Sequence, residues 1–109
     1  MSYLVEITQQ ADTDLRSIIE YIAYELQSVQ NAAGQLSRLE KKIHSLHRMP
    51  ERFRRYGKEP WYSRGLRIMP VDNFCVFYIP FHERKIISII RVMYGGQDID
   101  AQLAEHTKD

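Results

Sequence analysis

The sequence predicts an α+β fold in which a helical hairpin packs on a small, mainly antiparallel sheet, in the order β-α-α-β-β-β. Two stripes of apolar residues at helical spacing in the first half, and three strand-like segments in the second half, support this prediction. A chain of 109 residues, 44% hydrophobic and 27% charged, suffices for one packed domain but not for two. We therefore expect residues 1–109 to form a single domain, with a core at residues 3–103 and a frayed tail at residues 104–109.

The first half of the chain indicates one short strand followed by two helices. Residues 3–7 suit a strand, and Thr8 can cap the helix that follows it. Ser28 can cap a second helix, which must end where Pro50 forbids further helix. The apolar stripe of the first helix consists of Ala11, Leu15, Ile18, Ile22 and Leu26, and that of the second of Ala32, Leu36, Leu39, Ile43 and Leu46.

The second half indicates a loop and then an antiparallel meander. Residues 51–63 are polar, basic and aromatic without a sustained period, which is typical of a loop. Strands are predicted at residues 65–71, 74–79 and 85–94. Because residues 74–79 are apolar at every position, that strand should be buried on both faces and therefore central. A short helix can follow the last strand, at residues 98–103.

Several classes of protein are disfavoured by composition. The one cysteine, Cys75, cannot form an internal disulfide, a redox pair or a cysteine-based zinc site. His44 and His47 lie three residues apart on the second helix without a matching carboxylate, so we expect no metal and no cofactor. The sequence shows neither a leader-like start nor an apolar run of about 20 residues, so we expect a cytoplasmic protein without a membrane segment.

Positive charge is concentrated in the middle of the chain. The formal net charge is +1, yet residues 38–67 carry ten lysines and arginines against three glutamates, a local balance of +7. Such a block can contact phosphate groups, or it can be a solvated helix face and loop that keeps the domain soluble.

A series of short motifs, in this order and spacing, resembles the RelE/ParE superfamily over about residues 3–103. The motifs are Ala11-x-x-Asp14-Leu15-x-x-Ile18-x-x-Tyr21-Ile22, Met49-Pro50-Glu51-Arg52, Arg64-Gly65-Leu66-Arg67, Val76-Phe77-Tyr78 and Ile89-Ile90-Arg91-Val92-Met93-Tyr94-Gly95-x-x-Asp98-Ile99. The resemblance implies a growth-inhibiting toxin of a type II toxin–antitoxin module. Its cognate antitoxin would wrap around it, and the pair would contact operator DNA only through the antitoxin.

Two activities occur in this superfamily, and the resemblance alone leaves both open. RelE-like members cut messenger RNA in the ribosome, whereas ParE-like members poison DNA gyrase. For RNA cleavage the resemblance implies Arg67 and Arg91 at the scissile phosphate, a role that suits the forked donors of arginine, and Tyr94 as acid or base. The alternatives are a salt bridge from Arg67 to Glu6 or Asp72, one from Arg91 to Asp98 or to the antitoxin, and simple packing of Tyr94.

The loop that precedes the strands supplies candidates for contact with a target, either gyrase or ribosomal RNA. Arginines and aromatic residues alternate there, a mixture that can hold phosphates and stack on bases. The same aromatic rings could instead cover the end of the sheet core. The candidates are Arg52, Arg54, Arg55, Lys58, Trp61 and Arg64.

The near-neutral net charge favours the ParE-like activity, since binding ribosomal RNA rewards many cations. Ribosome-dependent cleavage of messenger RNA remains the alternative. A third possibility is a module that binds its antitoxin and is not toxic.

Overall fold

A computed structural model of the chain describes residues 2–108 and confirms the predicted α+β architecture. The six predicted elements occur in the predicted order, and the short helix expected after the last strand is present. A π-helical turn and a short helix in the loop are added to them. The elements are β1 (Leu4–Ile7), α1 (Gln9–Glu20), the π-helical turn (Tyr21–Glu25), α2 (Val29–Ser45), α3 (Trp61–Arg64), β2 (Arg67–Val71), β3 (Phe74–Phe81), β4 (Ile86–Tyr94) and α4 (Ile99–Glu105).

The four strands form one sheet in the order β1-β4-β3-β2. β1 runs parallel to β4, and the other two pairs are antiparallel, as a meander requires. The ladder between β3 and β4 shifts register, because Phe77 pairs with Arg91 whereas the next residue, Tyr78, pairs with Ile89. Ile90 is thus an extra residue in β4, and such a bulge redirects the side chains beside it.

Both predicted helix caps form. The Thr8 hydroxyl accepts a hydrogen bond from the Ala11 amide at 3.2 Å, and it donates to the Ile89 carbonyl at 2.7 Å. The cap therefore begins α1 and also fastens it to β4. The Ser28 hydroxyl accepts from the Asn31 amide at 3.3 Å and so begins α2.

Apolar residues form two clusters, one on each face of the sheet. Val76 and Tyr78 of β3 belong to the first cluster, which lies under helices α1 and α2. Phe77 and Ile79 of the same strand belong to the second cluster, which the loop before β2 and helix α4 cover. The alternation confirms that β3 is central and buried on both faces. Within residues 2–108, the structure has no helix that is long and apolar enough to cross a membrane.

The structure differs from the sequence predictions in two places. The apolar stripe of the first helix does not continue to Leu26, because the turns from Tyr21 are π-helical and Leu26 is 57% exposed. The wider π-helical repeat rotates the stripe away from the core. Residues 104–108 also differ from a frayed tail: α4 continues to Glu105, and the Lys108 amide donates to the Gln10 side chain at 3.1 Å. Residue 109 lies outside the described residues.

Packing of the helical hairpin on the sheet is tested by Leu39→Ala. Leu39 is fully buried in the first cluster, so its truncation should leave a cavity and lower the free energy of unfolding by about 3 kcal/mol. Leu26→Ala is the matched control and should cost less than about 0.5 kcal/mol, since that side chain is exposed. Urea denaturation followed by circular dichroism measures both changes, and equal losses would contradict the packing described.

Candidate functional site

Arg67, at the start of β2, holds the loop that follows α2. Its Nη1 donates to the Phe53 carbonyl at 2.6 Å and to the Glu51 carbonyl at 3.2 Å. Its Nη2 lies 3.4 Å from the Glu51 carboxylate, and the side chain is only 16% exposed. The ionic partner of Arg67 is therefore Glu51, rather than Glu6 or Asp72 as the sequence suggested.

Tyr78 holds the same loop from the neighbouring strand. Its residue pairs with Arg67 in the ladder, and its hydroxyl donates to the Pro50 carbonyl at 2.7 Å in a buried position. Burial raises the pKa of Tyr78 to about 12, so the phenol stays protonated and remains a donor at neutral pH. Two side chains of adjacent strands thus fix the chain just after α2 ends.

Arg91 forms a nearly buried ion pair with Asp14 of α1. Nε and Nη2 donate to the two carboxylate oxygens at 2.6 and 2.9 Å, and the side chains are 11% and 15% exposed. Nη1 donates to the His106 carbonyl at 3.1 Å and to the Thr107 hydroxyl at 3.0 Å. Arg91 therefore joins α1, β4 and the segment after α4.

The carboxylate of Asp14 has a second role at the edge of the sheet. One of its oxygens also accepts a hydrogen bond from the Val92 amide at 2.9 Å. β1 pairs with β4 only as far as Ile89, so Asp14 supplies the hydrogen-bond acceptor for Val92 where no strand does. This explains why Arg91 pairs with Asp14 and not with Asp98, which instead caps α4 through the Ala101 amide.

Tyr94 is the last residue of β4 and lies beside the helical hairpin. Its ring meets the ring of Phe74 edge to face at a centroid distance of 6.0 Å. The side chain is 51% exposed and borders an apolar groove that Ile18, Tyr21 and Phe74 also line. Tyr94 is thus packed on one side and open to solvent on the other.

Two of the three residues implied in RNA cleavage, Arg91 and Tyr94, line different grooves. Arg67 has its ladder partner Tyr78 in the first apolar cluster, whereas the ladder partner of Arg91, Phe77, belongs to the second. The open groove lined by Arg91, about 950 Å³ in volume, includes neither Arg67 nor Tyr94 among its lining residues.

Two aromatic residues of the loop, Tyr56 and Trp61, cover the core. Trp61 is 3% exposed, and its indole Nε1 donates to the Leu103 carbonyl at 3.2 Å. The Tyr56 hydroxyl and the Lys58 ammonium both donate to the carboxylate of Asp100, whose pKa is lowered mainly by Lys58 and then by Tyr56. These contacts tie the loop to α4 and leave Trp61 no surface on which a base could stack.

The remaining loop cations lie on the surface. Arg55 stacks over the Tyr62 ring at 4.1 Å, Arg52 over Phe53 at 5.0 Å, and Arg64 over Trp61 at 4.9 Å. Arg52, Arg54 and Arg55 are exposed and form no salt bridge within residues 2–108. Their charges are therefore available to an external anion.

Comparison with known families decides to which family this fold belongs. Residues 5–99 match the family model described as the ParE toxin of the type II toxin–antitoxin system parDE. The chain belongs to the ParE toxin family. Comparison with curated protein sequences gives no match.

Solved structures agree with the ParE fold. The chromosomal ParDE system from P. aeruginosa aligns with a TM-score of 0.71 and 18% identity, over 85% of this chain and 96% of that chain. The RelBE2 complex from Mycobacterium tuberculosis aligns with a TM-score of 0.62 and 20% identity, over 86% and 99%. A mutant of the E. coli toxin RelE in the free state aligns with a TM-score of 0.61 and 14% identity, over 91% and 90%.

The structural role of the Arg91–Asp14 pair is tested by Asp14→Asn. Removing one charge leaves Arg91 nearly buried without a carboxylate, so the free energy of unfolding should fall by about 3 kcal/mol. Asp12→Asn is the matched control, because Asp12 pairs with Arg16 on the surface and its loss should cost less than about 1 kcal/mol. Chemical denaturation compares the two variants; a loss of stability in Asp14→Asn no larger than in the control would mean that the pair is not structural.

Proposed function

We propose that this ParE-family chain inhibits growth by poisoning DNA gyrase, that it does not cut RNA, and that a cognate antitoxin silences it. The match of residues 5–99 to the ParE family model supports the part of the proposal that concerns a toxin of a toxin–antitoxin system. The choice between the two activities rests on the arginines and on Tyr94.

The gyrase target is favoured over RNA cleavage because Arg91 already forms its hydrogen bonds within the protein. Arginine has five N–H donors, and Arg91 makes four hydrogen bonds with them, two to Asp14, one to the His106 carbonyl and one to Thr107. A guanidinium that stabilises a scissile phosphate needs donors aimed at the substrate. Arg67 is engaged in a similar way with the loop, and Tyr94 lines a different groove from Arg91. Gyrase poisoning requires no such catalytic arrangement.

The exposed loop cations keep ribosome-dependent cleavage of messenger RNA as the second candidate. Arg52, Arg54 and Arg55 could approach ribosomal RNA, since their charges have no acidic partner within residues 2–108. The same three cations suit the DNA that gyrase holds, whereas Lys58 is already paired with Asp100. Charge alone does not separate the two targets, whereas the engaged arginines favour gyrase.

A cognate antitoxin is the partner that the surface of the chain requires. Four large apolar side chains are exposed close together at the tip of the helical hairpin: Tyr21, Tyr24, Leu26 and Val29. Exposed apolar patches of this kind are typical of protein interfaces. Several of the similar structures, RelBE2 and ParDE among them, are of toxin–antitoxin systems. The antitoxin would also provide the contact with operator DNA.

Induction of the chain without its antitoxin tests the target. The proposal predicts growth arrest with DNA-damage signalling and accumulated gyrase–DNA cleavage complexes, while ribosome-bound messages stay intact. Arg54→Gln/Arg55→Gln should raise the amount of toxin needed for arrest about tenfold if the loop contacts the target, because two unpaired charges are removed. Arg16→Gln/Arg84→Gln removes the same charge elsewhere and should change this amount less than twofold.

Three results would count against the proposal. Cuts in ribosome-bound messages without gyrase complexes would replace it with the RelE-like activity. Normal growth on induction of folded protein would indicate a module that only binds its antitoxin. Equal loss of activity in both double variants would show that net charge, and not the loop, matters.

A further inference from the structure

A groove between helix α2 and the edge strand β2 collects cations, of which only Arg52 also belongs to the loop that we propose as the target contact. α2 contributes one stripe of its surface, at positions i, i+3, i+4 and i+7, and Arg52 closes one end. β2 and the turn after it form the opposite wall. The lining residues are Arg38, Lys41, Lys42, Ser45, Arg52, Pro70, Val71 and Asp72.

The groove remains positive after its internal pairs are counted. Asp72 accepts hydrogen bonds from Arg38 at 2.8 Å and from Gln35 at 3.0 Å, and Arg38 in particular lowers its pKa. The salt bridge of this carboxylate is with Arg38, and the nearby charge of Lys42 also contributes to lowering its pKa. Lys41 and Lys42 are exposed and have no salt bridge within the described residues, and Arg52 donates to the neutral Ser45 hydroxyl at 2.6 Å.

At Pro70, the wall formed by β2 offers a hydrogen-bond acceptor, the backbone carbonyl, and no donor. The Ile68 amide donates to the Arg54 carbonyl at 3.0 Å, on the side away from β3. Backbone groups two residues apart in a strand face the same side, so the Pro70 carbonyl also faces away from β3. Proline has no N–H, and this position is therefore an acceptor for an N–H group supplied from outside.

A peptide matches these features better than a nucleic acid does. A phosphate backbone could pair with the lysines, but it has no N–H group for the Pro70 carbonyl, and the lining includes no aromatic ring on which a base could stack. An extended peptide supplies backbone N–H groups to a free strand edge, and acidic side chains supply the anions. The stripe from Arg38 to Ser45 rises about 10 Å along the helix, which is the length of three to four extended residues.

We propose that the groove between α2 and β2 binds an extended acidic segment, three to four residues long, of the partner protein. The identification of that partner as the antitoxin rests on the proposed function, whereas binding of an acidic peptide does not. The segment pairs its carboxylates with Lys41, Lys42 and Arg52 and donates a backbone N–H to Pro70.

Direct binding is measured by fluorescence anisotropy, with the purified full chain and a short labelled peptide of alternating glutamate and valine. Lys41→Ala/Lys42→Ala should weaken binding about tenfold, the effect of losing two partly solvated ion pairs. Both lysines are exposed on a helix and alanine favours helix, so the variant should fold. Arg16→Ala/Arg84→Ala removes the same charge away from the groove and should change binding less than twofold.

Two altered probes and a competitor complete the test. A peptide with glutamine in place of glutamate should bind at least tenfold more weakly, and a peptide with N-methylated backbone should also lose affinity. Equal binding by the two double variants, or no binding of the acidic peptide, would overturn the proposal. Tighter, lysine-dependent binding of an oligothymidylate of equal charge would assign the groove to nucleic acid instead.

Growth assays with the cognate antitoxin separate this inference from the proposed function. Lys41→Ala/Lys42→Ala should still arrest growth when expressed alone, but about tenfold more antitoxin should be needed to restore growth. Unchanged neutralisation would show that the antitoxin does not use the groove. If the unaltered chain fails to arrest growth, the proposed function fails, and peptide binding is judged by anisotropy alone.

Discussion

Strand β3 carries apolar side chains on both faces, and a chain of 109 residues has to cover both of them. The helical hairpin covers one face, with Leu39, Ile43 and Leu46 of α2 and its end fully or almost fully buried. The second face has no such pair of helices. It is covered by Tyr56 and Trp61 from the loop, and by Leu103 of the short helix α4. The positions of the loop arginines follow from this double requirement.

Because Tyr56 and Trp61 of the loop cover the second face, they are buried, whereas the arginines of the loop stay on the surface. Trp61 and Tyr56 are anchored to α4 through the Leu103 carbonyl and Asp100, so the loop has one defined conformation. The two strand arginines lie at places where strand pairing stops. Arg67 is the first residue of β2, and Arg91 follows the last residue of β4 that pairs with β1, Ile89, by two positions. Arg67 holds the loop, and Arg91 holds α1 and the segment after α4. The two arginines that the family resemblance implies in RNA cleavage thus maintain the fold, which is why we favour a toxin that binds its target over one that cuts RNA.

Most of the fold follows from local sequence signals, whereas the environment of the arginines does not. Thr8, Ser28 and Asp98 each cap a helix, and the uniformly apolar sequence of β3 predicts its central position in the sheet. The Arg91–Asp14 pair joins residues 77 positions apart, and it forms only because β1 lies parallel to β4 and stops short of Arg91. No local pattern encodes that arrangement. The π-helical turn after Glu20 also had no sequence signal, because apolar residues continued at ordinary helical spacing.

The same distinction holds for the surface. The concentration of cations in residues 38–67 could be counted from the sequence, but their division between the loop and the groove beside α2 depends on where β2 lies. We propose that this ParE-family chain acts on gyrase and does not cut RNA. The most direct measurement adds the purified chain to gyrase with plasmid DNA and, in parallel, to a translating extract. We predict inhibited supercoiling with trapped cleavage complexes, and intact messages in the extract. Normal supercoiling together with cleaved ribosome-bound messages would contradict the account.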